Sequence, residues 1–505
     1  MNTRRRFIQA SGAAISSGCL PGAEAGEESV IGKAMAAALA GIAVAAKDPE
    51  RPDYHFHAPT NWINDPNGTI FYKGWHHLFY QFNPYGAMWG HMHWGHARSR
   101  DLVNWEHLPI AIGPSEEKGE GAIFSGAAML ARDGRPRIIY TSIAAGSPEH
   151  RPPEQWLAAP EDDDLIRWSK SPHNPVLTTA AHGSLKVDDW RDPFLFTDAG
   201  QTYMVCGGNT SGRRVGGSGV VELYRAANTE FTEWKHLGTV FEHHEREVFN
   251  IECPNLFRLG EKWVLIFSPH KPCEYFIGTL DLKRPRFIPE VHGILDAGNA
   301  YASNISVDDQ GRTILWLWGR TENPESKGWN GVMVMPRILS IGPDGYLRQQ
   351  PAREFEQLRG AAVAVAAMPL SEKRAVIPGV RGNRFELEVE VAPGRASVAG
   401  LELRRSEAGK AGVSVTISSD GILKVGDAST LVGRNDRYKV RVFLDKRVLE
   451  VYVNDGLAAI YYGVVNAGPE DVGVAAFARG AGARLAGGTM WPLKAAEFRL
   501  DRFRV

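Results

Sequence analysis

Short apolar runs of strand length recur through the first two thirds of the chain, and they constrain the fold more than any other feature. Most are bounded by Gly, Asp or Pro, and runs of this kind are typical of strands in all-β proteins. Clear examples lie at positions 69–72, 77–82, 137–140, 202–205 and 263–267. We therefore predict an all-β architecture from about residue 55 to residue 350, with a sizeable core since 43% of the chain is hydrophobic.

A tryptophan-bearing motif repeats between these runs. An acidic residue followed by a large apolar residue precedes a tryptophan at positions 101–105 and 164–168, and a looser copy lies at 230–234. The copies are about sixty to seventy residues apart, and irregular repeats of this length are typical of propeller blades. The pattern predicts a β-propeller but does not give the number of blades.

The last quarter of the chain shows a different pattern. Polar and apolar residues alternate strictly at 385–391, 414–417 and 438–444. Such alternation indicates sheets with one wet face, and hence a β-sandwich. Between the two patterns, residues 353–367 are the best helical candidate, with Phe355 and Leu358 as inward positions. We expect a propeller at 49–352, a helical linker at 353–375 and a sandwich at 376–505.

The N-terminal segment is interpreted as a targeting signal. Arg4, Arg5 and Arg6 precede Phe7 and a small-residue run, which is similar to a twin-arginine export signal. A basic, disordered tail and a lipid anchor at Cys19 are the alternatives. We expect residues 1–48 to be a signal and lead-in, with the small-residue run at 34–46 too short to span a bilayer. The expected location is periplasmic or extracellular.

Charge and cysteine content exclude several classes of function. The net charge is −1, so no polyanionic partner such as nucleic acid is indicated. The sequence lacks a Gly-rich phosphate loop followed by Lys. Beyond the signal, Cys206, Cys253 and Cys273 allow at most one disulfide, so the chain is not a disulfide-framework protein.

The stretch at 61–68, Asn-Trp-Ile-Asn-Asp-Pro-Asn-Gly, concentrates polar side chains beside an indole. Pro66 restricts the backbone of Asp65, and Gly68 permits a left-handed conformation. We expect a tight bend that aims the Asp65 carboxylate, in the arrangement by which glycosidases meet positive charge at an anomeric carbon. The alternative is an ordinary surface turn, since these are common turn residues.

Two further carboxyl groups stand in unusual settings. Asp192 lies between Arg191 and Pro193, and the guanidinium is expected to keep this carboxyl ionised. Glu252 has apolar neighbours that include Ile251, so we expect its pKa to be raised, as a general acid requires. Taken alone, each of these carboxyl groups is more often a structural hydrogen-bond partner than a catalytic group. Three such carboxyl groups, each with a proline nearby, are a much rarer coincidence.

Four ordered blocks carry a specific resemblance: 62–68, Phe124-Ser125-Gly126, Arg191-Asp192-Pro193 and Glu252-Cys253-Pro254. Together they resemble the signature blocks of glycoside hydrolase family 32, the invertases, inulinases and levanases. The resemblance is strong over residues 54–350 and weaker over the C-terminal part, where 449–456 is similar to a strand pair of the family.

The resemblance implies a five-bladed β-propeller followed by a β-sandwich, with the site at one end of the central funnel. It implies Asp65 as nucleophile, Glu252 as general acid/base and Asp192 as transition-state stabiliser of a retaining mechanism. The implied substrate-binding residues are Asn64, Gln81, Trp89, Phe124, Ser125, Arg191, Tyr301 and Trp318. Two departures put the substrate preference in doubt: Ala127 stands where Ser is common, and Asn299-Ala300 replaces an acidic–aromatic pair.

A metal site is the competing interpretation of His91, His93 and His96. Their spacing is metal-like, and His91 and His93 are expected to share a strand face. The resemblance implies no metal and no cofactor, so we expect these imidazoles to form hydrogen bonds within the fold or to rim the pocket.

The leading hypothesis is an exported hydrolase of β-fructofuranosidic bonds in levan, inulin or sucrose. Fructosyl transfer to a sugar is a close alternative, because it uses the same covalent intermediate. A carbohydrate-binding protein without turnover is an alternative of another class, and the presence of Asp65, Asp192 and Glu252 together argues against it. Export argues against sucrose phosphate as substrate.

Overall fold

The computed structural model describes residues 29–146, 151–210, 217–245, 247–409 and 411–504. The predicted signal sequence and Cys19 lie outside this part of the chain. Within it, five sheets, each with four consecutive antiparallel strands, precede two larger sheets that face each other. The predicted all-β architecture of a five-bladed propeller followed by a sandwich is confirmed.

Each propeller blade is built from four strands that follow one another along the chain, with the first strand innermost. Blade I comprises Asn61–Tyr72, Trp75–Asn83, His93–Ser99 and Trp105–Ile112; blade II Glu120–Leu130, Pro136–Ala144, Glu154–Pro160 and Trp168–Lys170; blade III Asp188–Asp198, Gln201–Asn209, Gly219–Ala226 and Trp234–Glu242; blade IV Glu252–Leu259, Lys262–Ser268, Cys273–Asp281 and Arg286–Asp296; blade V Ala300–Val307, Thr313–Gly319, Arg337–Ile341 and Leu347–Pro351.

Short elements close the ring. Trp329–Asn330 pairs in parallel with the first strand of blade I, and Val332–Met333 pairs with the second strand of blade V. Phe498–Arg499, near the C-terminus, pairs in parallel with the outermost strand of blade I. Four 3₁₀ helices lie at Glu116–Lys118, Thr179–His182, Glu325–Lys327 and Arg353–Leu358.

The tryptophan motif marks the turn into the outermost strand of blades I to III. Those strands begin at Trp105, Trp168 and Trp234. Three residues before each tryptophan the backbone is left-handed and the apolar side chain is buried, as at Leu165, whose φ is 57°. The indole N–H of Trp168 donates to the carbonyl of Leu165 at 2.8 Å. Blades IV and V lack the motif, which is why the sequence repeat could not give the blade count.

The C-terminal sheets form the predicted sandwich around an apolar core that includes Leu387, Leu401 and Val442. One sheet has the order Val363–Val365, Arg484–Pro492, Arg384–Ala392, Tyr438–Asp445, Val448–Val453 and Ala458–Tyr462. Met368–Pro369 also pairs with the strand Arg484–Pro492. The other has the order Ala375–Arg381, Gly473–Arg479, Val398–Arg405, Val413–Ile417, Ile422–Val425 and Ala428–Leu431.

The prediction of a helix over residues 353–367 is wrong. Only Arg353–Leu358 is helical, as a 3₁₀ helix, although Phe355 and Leu358 are buried as expected. Val363–Val365 instead pairs with Met490, Thr489 and Gly488 at the edge of the sandwich. An open sheet edge offers unpaired backbone groups to a neighbouring segment, and β-branched valines suit that conformation.

The small-residue lead-in is helical from Val30 to Ala45. Ser29 caps it by accepting a hydrogen bond from the N–H of Gly32 at 3.1 Å. Its buried residues include Ala34 and Ala38, which pack with residues of blade I. None of the helices that the structure describes has the length and apolar character needed to span a bilayer.

A buried ionic network joins propeller and sandwich. His55, which precedes blade I, lies 3.0 Å from Asp445 through Nδ1 and 3.0 Å from Glu450 through Nε2. Arg337 of blade V donates to Asp296 at 2.8 Å and to Glu450 at 3.2 Å. All five side chains are fully buried, so each depends on its partners for solvation of its charge.

Candidate active site

The innermost strands of all five blades contribute residues to one pocket at the propeller axis. In each strand the pairing with its neighbour is interrupted by a bulge at the residues that reach the pocket. The interrupted segments contain Asn64 and Asp65; Phe124 and Ser125; Asp192 and Pro193; Cys253 and Pro254; and Ala302 beside Tyr301. Bulges next to active sites re-aim side chains that a regular strand would direct elsewhere.

The tight bend predicted at 61–68 is wrong, because this stretch belongs to the strand Asn61–Tyr72. Asp65 is aimed instead by a bulge between Ile63 and Pro66, and a second bulge follows Asn67. Pro66 cannot donate to a sheet ladder, and Gly68 adopts a φ of 51°. The residues expected to form a turn therefore deform a strand instead, and the deformed strand still directs the Asp65 carboxylate.

Asp65 is fixed by hydrogen bonds to both of its oxygens. Ser125 Oγ donates to Oδ2 at 2.5 Å, and Asn64 Nδ2 donates to Oδ1 at 3.0 Å. The indole N–H of Trp62 orients Asn64 by donating to its Oδ1 at 2.8 Å. Gln81 Nε2 lies 3.4 Å from Ser125 Oγ. The chain thus holds Asp65 in one direction through partners from blades I and II.

The two aspartates of the pocket have raised pKa values. Burial raises the pKa of Asp65, with a further contribution from the negative charge of Glu252, while the bonds from Ser125 and Asn64 oppose the shift. Burial raises the pKa of Asp192 to about 7, because the opposing effect of Arg191 does not offset it. The expectation that Arg191 keeps Asp192 fully ionised is therefore wrong.

Arg191 is directed mainly at Glu252. Its Nη2 donates to Glu252 Oε1, whereas its Nε lies 3.7 Å from Asp192 Oδ2. Tyr301 donates its hydroxyl to Glu252 Oε2 at 2.6 Å. Burial alone would raise the pKa of Glu252, but Arg191, His270 and Tyr301 lower it below its ordinary value. The prediction of a raised pKa for Glu252 is wrong, because residues distant in sequence outweigh the apolar neighbours.

Cys253 lies between the two aspartates. Its backbone N–H donates to Asp192 Oδ2 at 3.0 Å, and its Sγ is 3.5 Å from Asp65 Oδ2 and 3.6 Å from Asp192 Oδ2. Thr141 Oγ1 accepts a hydrogen bond from the N–H of Asp192 at 3.0 Å. Cys206, Cys253 and Cys273 are all free thiols.

Aromatic side chains form the pocket rim on two sides. Trp62 and Trp318 meet edge to face with ring centroids 5.5 Å apart, and Trp89 and Phe124 do so at 6.1 Å. Trp89 is 60% exposed, so one face of its indole is accessible from solvent. Of the eight residues predicted to bind substrate, Asn64 and Ser125 donate to Asp65, and Arg191 and Tyr301 donate to Glu252. Gln81 contacts Ser125, while Trp89, Phe124 and Trp318 are placed here only by their ring contacts.

Some residues of the site were not predicted from the sequence. His270 Nε2 lies 3.5 Å from Glu252 Oε1, and the guanidinium of Arg320 lies 4.2 Å from the centre of the Tyr301 ring. Neither residue stands in a recognisable motif. They reach the site through loops whose course the sequence does not specify.

The three histidines with metal-like spacing do not converge. His91 precedes the strand, with a φ of 44°, so it does not share a strand face with His93 as expected. His93 Nδ1 lies 2.6 Å from the carbonyl of His91, while His96 stacks on Phe79 and lies 3.0 Å from His77. In the part of the chain that the structure describes, no group of three His, Cys, Asp or Glu residues is arranged to hold a metal ion.

Comparison with known families gives matches along most of the chain. The family description "Glycosyl hydrolases family 32 N-terminal domain" matches residues 55–351, and "Glycosyl hydrolases family 32 C terminal" matches residues 354–492. The two matched segments correspond to the propeller and to most of the sandwich.

Individual proteins agree with this match. The chain is 36% identical over 354 residues to a cell wall beta-fructofuranosidase of Zea mays, covering 63% of this chain and 58% of the maize protein. It is 32% identical over 441 residues to a sucrose-6-phosphate hydrolase of Zymomonas mobilis, covering 80% of this chain and 84% of that protein. The match therefore spans less than two thirds of the maize relative.

Solved structures show the same architecture. Fructan 1-exohydrolase IIa of Cichorium intybus, in complex with 1-kestose, superposes with a TM-score of 0.77 at 25% identity, covering 89% of this chain and 98% of that one. A family 32 beta-fructofuranosidase of Bombyx mori gives a TM-score of 0.75 at 26% identity, covering 92% and 98%.

Proposed function

The chain belongs to glycosyl hydrolase family 32, and from that premise we propose that it hydrolyses β-fructofuranosidic bonds through a covalent fructosyl-enzyme. The observation that carries the proposal is the convergence of Asp65, Asp192 and Glu252, from three different blades, on one pocket with an aromatic rim. A pair of carboxyl groups beside a sugar's anomeric carbon is the requirement for glycoside hydrolysis with retention.

We propose that Asp65 is the nucleophile. Its Oδ2 attacks the anomeric carbon as the bond to the leaving oxygen breaks, and Glu252 gives its proton to that oxygen. Glu252 then takes a proton from water, which attacks the same carbon and releases Asp65. Asp192 holds fructosyl hydroxyls while the ring carries positive charge.

The three carboxyl groups of the pocket do not hold their protons where the chemistry requires them. Chemistry requires an ionised Asp65 and a protonated Glu252, yet the pKa of Asp65 is raised and that of Glu252 is lowered. The three carboxyl groups interact, so their protons belong to the group as a whole. We propose that sugar hydroxyls donating to Asp65 and Asp192, and an engagement of Arg191 with the sugar, move the proton onto Glu252.

Fructans and sucrose are the proposed substrates. The similar proteins include one named for sucrose 6-phosphate and another solved with 1-kestose, so similarity alone does not choose among leaving groups. The arginine-rich N-terminal segment supports export, and export favours unphosphorylated sugars. We therefore propose levan, inulin or sucrose outside the cytoplasm.

Product chromatography tests this function directly. The purified protein is incubated separately with sucrose, inulin and levan. The Asp65→Asn variant, which keeps the size of the side chain, is treated in the same way as a matched control. We expect free fructose from at least one substrate and a loss on the order of a thousandfold or more in the variant. Activity of more than a few per cent in a verified Asp65→Asn sample would overturn the nucleophile, and an inert wild-type protein would overturn the function.

A further inference from the structure

The loop between the second and third strands of blade IV carries His270 to the pocket. His270 has a φ of 62°, a left-handed conformation that is uncommon for a residue other than glycine or asparagine. Its backbone N–H donates to the hydroxyl of Tyr301 at 3.0 Å. Backbone strain of this kind persists where surrounding contacts hold it, and it is concentrated at functional sites.

His270 reaches Glu252 by two routes. Its Nε2 lies 3.5 Å from Glu252 Oε1, and the Tyr301 hydroxyl that accepts its N–H donates to Glu252 Oε2 at 2.6 Å. The loop therefore reaches both carboxyl oxygens of Glu252, and Arg191 bonds Oε1 from blade III.

Two loops hold the imidazole in place. The His270 ring stacks on Phe249, with centroids 5.0 Å apart and planes inclined by 16°. The next residue, Lys271, pairs with Glu245 at 2.6 Å and with the buried Glu274 at 2.8 Å. The His270 loop is thus tied to the segment that carries Phe249 by a ring stack and an ion pair.

We propose that His270 is a positioning residue for Glu252, resting on the function proposed above: its imidazole, 3.5 Å from Oε1, and its backbone N–H on the Tyr301 hydroxyl set how readily Glu252 releases its proton. The other groups facing Glu252 are the cation Arg191, the Tyr301 hydroxyl and the carboxyls of Asp65 and Asp192. A cation beside a carboxyl favours its ionised form, so His270 opposes the two aspartates.

Paired variants test the sign of this effect. His270→Asn removes the imidazole while suiting the left-handed backbone, and His270→Lys keeps a positive charge. His173→Gln, which changes an exposed histidine just after blade II, is the matched control. Infrared difference spectra of the free protein, with Glu252→Gln identifying the Glu252 band, follow its protonation. We expect the Glu252 pKa to rise by about one pH unit in His270→Asn and not to rise in His270→Lys or the control.

Kinetics supply a second readout. For sucrose or fructan, the alkaline limb of kcat/KM is expected to move to higher pH in His270→Asn, while rates with fructosyl fluoride, whose leaving group needs no proton, change little. An unshifted Glu252 pKa in His270→Asn, measured without substrate, would overturn the inference. Failure of wild-type protein to cleave any fructoside would overturn the proposed function instead, since the infrared result does not depend on turnover.

Discussion

At the scale of single residues, Glu252 of blade IV takes two of its partners from other blades, Arg191 from blade III and Tyr301 from blade V. Arg191 is next to Asp192 in the chain, yet its strongest contact is with Glu252 from the neighbouring blade. The apolar neighbours of Glu252 suggested a raised pKa, but Arg191, His270 and Tyr301 reverse the direction. Contacts between blades decide the pKa values, and such contacts cannot be read from adjacent positions.

Ser125→Ala provides a prediction at this scale. The Ser125 hydroxyl donates to Asp65 and lowers the pKa of that carboxyl, so its removal raises the pKa. Since Asp65 must be ionised to attack, the acid limb of kcat/KM should move up by about one pH unit. The pH–rate profile measures this, with the exposed Ser169→Ala as control. An acid limb that stays in place would show that this bond does not control Asp65.

At the scale of elements, the prolines predicted that the carboxylates are aimed, but not how. Pro66, Pro193 and Pro254 each lie in or beside a bulge of an innermost strand. A tight turn and a bulged strand use the same residue types, so local composition could not separate them. The structure of the linker could not be predicted from local sequence either, because residues 363–365 pair with a strand that lies more than a hundred positions later in the chain.

Gly126→Ala tests the importance of bulge geometry. A Cβ at Gly126 would lie 2.0 Å from the carbonyl oxygen of Ile139, so the bulge that carries Ser125 must shift. We expect at least a hundredfold loss in kcat/KM, because small displacements at a catalytic constellation have large effects. Gly468→Ala, where the nearest atom is 3.6 Å away, is the control for the substitution. Full activity of a folded Gly126→Ala protein would contradict the claim.

At the scale of the whole molecule, the sandwich is joined to the propeller by buried charge. Strand alternation predicted the sandwich, but nothing in the sequence paired His55 with Asp445 and Glu450, about four hundred positions away. Breaking a buried pair leaves an uncompensated charge, which is strongly destabilising. We propose that the sandwich stabilises the propeller and supplies no catalytic group.

His55→Gln tests this joint. Burial alone would lower the pKa of His55, but its two carboxylate partners outweigh this and raise the pKa from its ordinary value to about 9. Its stabilising effect is therefore fully present below about pH 6.5 and is lost as the pH rises through about 9. We expect the variant to lose about 3 kcal/mol of unfolding free energy near pH 6, with a much smaller difference above pH 9. Denaturant unfolding across pH measures this, with His173→Gln as control, and a difference independent of pH would contradict it.

The central claim is that Glu252 acts as acid and base on a covalent fructosyl-enzyme. The most direct test compares kcat/KM of Glu252→Ala on sucrose or fructan and on fructosyl fluoride, with and without azide. We predict a loss of about a hundredfold to ten-thousandfold on the natural sugar and a much smaller loss on the fluoride, whose leaving group departs without protonation. Azide should partly restore turnover and yield a fructosyl azide of retained configuration. Equal losses on both substrates with no azide product would contradict the assignment and make Asp192 the next candidate.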